Sequence, residues 1–271
     1  MCAFSKDDVK LGVIGCGKMA SAILGGVSKH KFLKNDDIYV YDINMEHSGA
    51  LCREYGFREA YSIKDLAQNV DVILLAIKPF IVGEVLSELS EFYNDHLLLS
   101  ILAGVKIKKI NEFIENARAI RIMPNTPALV NEGASAICAN SNIENNELDF
   151  AFNLMSTCGK VIKTTEDKID IITALSGSGP AFYFKIIELM AQSASKLGLD
   201  KNEALLLSAQ TALGSAKMIF ENDFNIEQLI KNVTTPGGCT EVGNEVLADS
   251  MIADIFDKLI FETMLKAKEL G

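Results

Sequence analysis

The stretch "LGVIGCGKMA", Leu11 to Ala20, decides the fold. A short apolar run leads into Gly15, Gly17 and Ala20 in Gly-x-Gly-x-x-Ala register, and a helical pattern follows. Gly15 permits a tight turn, Gly17 lets a pyrophosphate approach the backbone, and Ala20 lets helix and strand pack closely. Amides at the helix start then face the phosphates, so Gly15, Gly17, Lys18 and Met19 form the expected cofactor turn. Glycines also end strands for ordinary turn reasons, so the surroundings have to decide. They supply a second strand, "IYVYD", ending in Asp42, where a carboxylate can accept hydrogen bonds from the adenosine ribose of a dinucleotide. The competing reading of Asp42 is a helix cap, with Glu46 nearby.

Outward from this stretch the same rhythm repeats. "VILLAI", "LLLSI", "AIRIM", "ASAICA" and "KVIK" are short apolar runs separated by helical patterns, as in a mainly parallel sheet covered by helices. After Thr165 the strand-like runs stop and the chain reads as helix. The expectation is an α/β chain with a dinucleotide-binding domain over residues 1–165 and a helical domain over residues 166–271. In the second part "DKNE", with Asp200 as N-cap and Glu203 three residues on, opens a helix running towards Phe220. "PAFYFKIIELMA" is apolar nearly all the way round and needs more neighbours than one small domain provides. A homodimer through these helices supplies them.

Bulk composition narrows the function classes. A chain of 271 residues, 49% hydrophobic and 23% charged, is globular, and a net charge of −10 disfavours nucleic acid as a partner. The six cysteines include no Cys-x-x-Cys pair, which argues against a zinc site or a disulfide framework and for the reducing cytosol. The opening "MCAFSKDDVK" has no apolar core of a signal peptide, and no apolar run reaches membrane-spanning length. A cytoplasmic protein without a metal or membrane partner is expected.

Two loops at strand ends, "AIKPF" (Ala76 to Phe80) and "SILAG" (Ser100 to Gly104), are placed to line the nicotinamide side. Pro79 stopping a strand and Gly104 capping a turn would account for them equally on spacing. None of His30, His47 and His96 falls in a glycine or proline cluster, so a proton-transfer base for alcohol oxidation is not evident. Imine reduction demands less, because the nitrogen arrives protonated and a hydroxyl suffices to orient it. All five prolines lie in "AIKPF", "MPNTPA", "SGSGPAF" and "TTPGG". Pro180 and Pro236 mark expected helix starts, where free amides collect and a small anion can bind.

With "GKMA", "AIKP", "MPNTPALVNEGA", "LSGSGPAF" and "TPGGCT" in this order, the chain resembles the pyrroline-5-carboxylate reductases nearly end to end. The resemblance implies a Rossmann-type, mainly parallel sheet followed by an all-α dimerisation domain, dimers that often assemble further, and hydride transfer from NADPH or NADH to the C=N carbon of pyrroline-5-carboxylate. It implies that Thr240 is the catalytic hydroxyl facing the imine nitrogen, and that Thr235, Gly237 and Gly238 cradle the substrate carboxylate with Asp223 upstream. It further implies that Ala103, Met123, Pro124 and Asn125 flank the nicotinamide, beside Ala76, Lys78 and Pro79. Thr235 stands where serine is common, Leu102 where alanine is usual, Asn244 where an aliphatic residue is usual, and Ala248 where a polar one is usual. Reductases of this family that favour NADPH carry small hydroxyl or basic residues where this chain has Asp42, which leans it towards NADH. Two rivals remain. A β-hydroxyacid dehydrogenase relative would use Lys185 for proton transfer, and a non-catalytic dinucleotide-binding dimer would lack Thr240 or the cradle glycines.

Overall fold

The computed structural model describes residues 9–270. Cys2 and the opening stretch read for a signal peptide lie largely outside them. The chain forms two compact units, the first reaching to Ser178 and including the residues from Thr263 onward, the second spanning Gly179–Glu262.

In the first unit the elements alternate as the apolar runs require: β1 (Leu11–Ile14), α1 (Lys18–Lys29), β2 (Ile38–Tyr41), α2 (Met45–Tyr55), β3 (Arg58–Glu59), α3 (Ile63–Ala67), β4 (Val72–Leu75), α4 (Val82–Ser90), β5 (Leu97–Ser100) and α5 (Ile107–Asn111). There follow β6 (Arg118–Met123), β7 (Gly133–Ala139), α6 (Asn145–Ser156), β8 (Gly159–Lys163) and α7 (Ile169–Ile172), the last running into a π-helical turn, Thr173–Gly177. The strands form one sheet in the order β3-β2-β1-β4-β5-β6-β7-β8. Each neighbouring pair is parallel except β6 and β7. Pro124–Glu132 joins that pair through a 3₁₀ turn and carries no crossover helix, so the chain simply reverses.

Both faces of the sheet are covered, which is why strands such as β1 and β4 carry no polar side chain. Leu11, Val13, Val72 and Leu74 pack with Ile23 and Val27 of α1 and Leu154 of α6. Ile14, Ile73, Leu75 and Leu98 pack with Leu66 of α3, Leu86 of α4 and Ile110 of α5. Leu102 belongs to this second layer and is buried, so the larger side chain fills core. Beyond β8, Ile169 packs against Ala136 and Cys138, and Glu166 accepts the Ile107 N–H at 2.8 Å and meets the buried Arg121 guanidinium at 3.3 Å.

The second unit contains α8 (Gly179–Lys196), α9 (Lys201–Glu221), α10 (Ile226–Val233), α11 (Cys239–Ala248) and the start of α12 (Ile252–Glu269). Asp200 caps α9, accepting from the Asn202 and Glu203 N–H groups, and the helix ends beside the expected Phe220. No helix among the described residues is long and apolar enough to cross a membrane.

Candidate functional site

The sheet order creates a crevice. β1 lies between β2 and β4, the chain leaves these strands towards opposite faces, and their carboxyl ends open on a cleft of about 500 Å³. Gly15, Gly17, Asp42, His47, Ala76 and Lys78 are among its lining residues. Gly15 adopts φ +95°, and a Cβ there would lie 2.7 Å from the Ala76 carbonyl oxygen. At Gly17 a Cβ would meet nothing within 4 Å, so the backbone is open on that side. Gly17 is also the N-cap of α1 and offers no side-chain cap, leaving the first-turn amides of Lys18 and Met19 for an anion. Met19 packs partly on the core while Lys18 is exposed. These features fit a dinucleotide pyrophosphate.

Asp42 joins two turns. Its Oδ2 accepts the Cys16 N–H at 2.7 Å and its Oδ1 accepts the Asn44 N–H at 2.9 Å. Asn44, not Asp42, caps α2 by accepting from Glu46 N–H, so the helix-cap reading of Asp42 does not hold. His47 Nδ1 stands 3.6 Å from Asp42 Oδ1. Burial, and then the Asp42 carboxylate, push the Cys16 thiol up to about 12, so it stays protonated and unreactive at neutral pH. Burial, Glu88 and Asp42 raise the Tyr41 phenol. Glu84 and Glu88, one turn apart on α4, line the same cleft, and sequence reading passed over both. Their spacing behind "AIKPF" was the available signal.

On the other side of the cleft, Lys78 is exposed and precedes a 3₁₀ turn that begins at Pro79. Pro79 therefore stops the strand and also brings Lys78 to the cleft. Ala103 is exposed in the turn after β5, where Gly104 has φ +76°. Met123 is half-buried and Pro124 buried at the end of β6. The Asn125 side chain is 8% exposed and committed to backbone, donating to the Ser176 carbonyl at 3.1 Å and accepting from Ala134 N–H at 2.8 Å. It clamps β7 to the π-helical turn, so any action on a cofactor runs through the backbone it positions.

The second cluster lies before α11. Gly238 N–H donates to the Thr235 carbonyl at 2.9 Å, closing a turn with Pro236 second and Gly237, at φ +73°, third. That is type II geometry, which asks for proline and glycine at those positions. Pro236 thus sits in the turn and not at the helix start expected of it, since α11 begins at Cys239. Pro180, in contrast, is in the first turn of α8. A Cβ on Gly238 would run into Thr235 Oγ1 and lie 2.9 Å from its carbonyl oxygen. Gly237 N–H donates to Glu241 Oε2 at 2.7 Å. Thr240, in the first turn of α11, is exposed. Asn244 donates to Thr234 Oγ1 at 3.1 Å, which in turn donates to the Ile230 carbonyl, tying α11 to α10. Ala248 ends α11 exposed. Asp223, at φ +48°, lies in the α9–α10 turn and makes no hydrogen bond to residues 234–241 among the described residues.

Other candidates fall away from both clusters. Lys185 is exposed and paired with Glu188 at 2.6 Å on the surface of α8. His96 is buried, bonded through Nε2 to the Ala67 carbonyl, and His30 bonds the Gly26 carbonyl. Among the described residues Cys16, Cys52, Cys138, Cys158 and Cys239 are free thiols.

Residues 166–270 match the sequence model described as pyrroline-5-carboxylate reductase dimerisation. Residues 10–104 match that of coenzyme F420-dependent NADP oxidoreductases. The pyrroline-5-carboxylate reductase of Methanosarcina acetivorans is 35% identical over 98% of this chain and 99% of its own; that of Escherichia coli is 35% identical over 96% of each. A solved pyrroline-5-carboxylate reductase from Coxiella burnetii superposes with a TM-score of 0.94 at 33% identity, over 98% of this chain and 99% of that one. The Plasmodium falciparum enzyme, solved with NADP bound, gives 0.86 at 30% identity, over 98% and 100%. Alike in sequence and in fold to these proteins over nearly its whole length, the chain belongs to the pyrroline-5-carboxylate reductase family.

Proposed function

We propose that this chain reduces the ring imine 1-pyrroline-5-carboxylate to L-proline with hydride from a nicotinamide cofactor. The observation that carries the reading is that the likeness to such reductases spans both the dinucleotide crevice and the helical unit. When bound, the nicotinamide supplies the hydride. Gly17 and the first amides of α1 hold the pyrophosphate, while Lys78, Ala103 and the ends of β5 and β6 border the nicotinamide. The turn before α11 receives the substrate carboxylate, and Thr240 Oγ1 accepts a hydrogen bond from the protonated ring nitrogen. Hydride addition to that iminium gives a neutral amine, so the protein needs to orient the ring and need not remove a proton. This suits a helical unit whose own residues, 179–262, include no histidine.

Within this reading, NADH serves at least as well as NADPH. Asp42, Glu84 and Glu88 line the adenosine side, and no arginine does so among the described residues. A 2′-phosphate there would face like charges. Following cofactor oxidation with pyrroline-5-carboxylate, separately for NADH and NADPH, tests both statements. A kcat/KM for NADH equal to or above that for NADPH is expected. No oxidation with either would remove the reductase assignment, and a value at least about tenfold higher with NADPH would remove the role given to Asp42.

A further inference from the structure

The turn that the proposed function assigns to the substrate carboxylate already holds a carboxylate. Gly237 N–H donates to Glu241 Oε2 at 2.7 Å. Of the two glycine amides, that of Gly238 is spent on the Thr235 carbonyl at 2.9 Å, inside the turn. Gly237 is therefore the glycine whose N–H points outward to an anion, and Glu241 caps it. Glu241 sits in the first turn of α11, where the helix N-terminus favours negative charge. Among the described residues no lysine or arginine pairs with it. Among the described residues its side chain makes no other hydrogen bond or ion pair, and rotation about its own torsions frees the amide.

Two carboxylates cannot share one N–H donor without like-charge repulsion at hydrogen-bond range. We infer that Glu241 is an internal competitor for the substrate carboxylate: it occupies the Gly237 amide in the free enzyme, is displaced on binding, and so sets the affinity of this chain for ring carboxylates. The Asn244 to Thr234 link holds α11 against α10 while this exchange takes place, so the turn itself need not open. This inference rests on the reductase reading.

The test compares wild type, Glu241→Ala and Glu241→Gln in steady-state kinetics with pyrroline-5-carboxylate and NADH. L-proline and L-prolinamide serve as inhibitors with and without a carboxylate. Glu241→Ala is expected to lower the KM for the imine and the Ki for L-proline in parallel, by about three- to tenfold, as removal of one charge-assisted competitor implies. Glu241→Gln, which keeps an acceptor of the same reach without the charge, falls between, and it stands in should Glu241→Ala fold poorly. The Ki for L-prolinamide stays where it was. A cap with only a structural role would leave KM and both Ki values unchanged, or raise KM as the turn loosens; either result overturns the competitor role while wild-type turnover keeps the reductase reading intact. Absence of wild-type turnover removes both.

Discussion

Asp42 and Thr240 carry opposite kinds of commitment. Asp42 accepts two backbone amides, from Cys16 and Asn44, so its carboxylate is fixed in the cleft before any cofactor arrives. Each carboxylate oxygen has a second lone pair for a ribose hydroxyl. Replacing it with serine removes the charge and one of the two acceptors. Measured as kcat/KM for each cofactor, Asp42→Ser is expected to shift the NADPH to NADH ratio towards NADPH by about fivefold or more, since a like charge near a phosphate in a partly solvated cleft costs about 1 kcal/mol or more. An unmoved ratio would mean that Asp42 serves only the two turns. Thr240, in the first turn of α11, is exposed. In its proposed role, Thr240→Ala loses the hydrogen bond that holds the iminium N–H and orients the ring for hydride, worth about 1.5 to 3 kcal/mol in kcat/KM. Dinucleotide affinity, read by titration of cofactor fluorescence, is expected to stay near wild type. Turnover at the wild-type rate would count against the assignment.

At the scale of elements, helices α8 and α9 leave large apolar side chains uncovered. Tyr183 and Phe184 are 65% and 67% exposed, and Leu189, Met190, Leu206 and Leu207 are exposed with them. An apolar surface of this kind on a helix pair marks an interface, and these helices fall within the match to the dimerisation model. A homodimer built through them is the proposal, and light scattering at micromolar concentration is expected to give at least twice the chain mass of 29.5 kDa. A monomer mass would contradict it. Sequence showed these elements where periodicity was long or a cap was explicit, as with Asp200 and α9. It did not show β3, whose two residues, Arg58 and Glu59, are polar and too few to alternate. Nor did it show the antiparallel turn from β6 to β7, because strand direction depends on how the chain between them packs. The π-helical turn at Thr173–Gly177 was hidden for a similar reason: it is held in part by Asn125 and by Ser176 Oγ donating to the Ala134 carbonyl, contacts far apart in sequence.

For the whole molecule, the glycine pattern, the mainly parallel sheet and the ligand loops at strand ends were legible because each follows from local backbone needs repeated along the chain. The carboxyl-rich wall of Glu84 and Glu88 and the capture of Gly237 by Glu241 were not, since side chains one turn apart on a helix acquire a role only once the neighbouring loop is in place. Asn125 was read as bordering the nicotinamide, and its side chain proves to be engaged with backbone on two sides. The reaction proposed for the chain is hydride transfer onto one carbon. Reduction of pyrroline-5-carboxylate with NADH carrying deuterium at the transferable nicotinamide position, followed by mass and NMR analysis of the product, follows that atom directly. L-proline bearing one deuterium on the ring carbon across the nitrogen from the carboxylate-bearing carbon is the expected product, formed in proportion to NADH consumed. Unlabelled proline, or cofactor oxidation without proline, would contradict it.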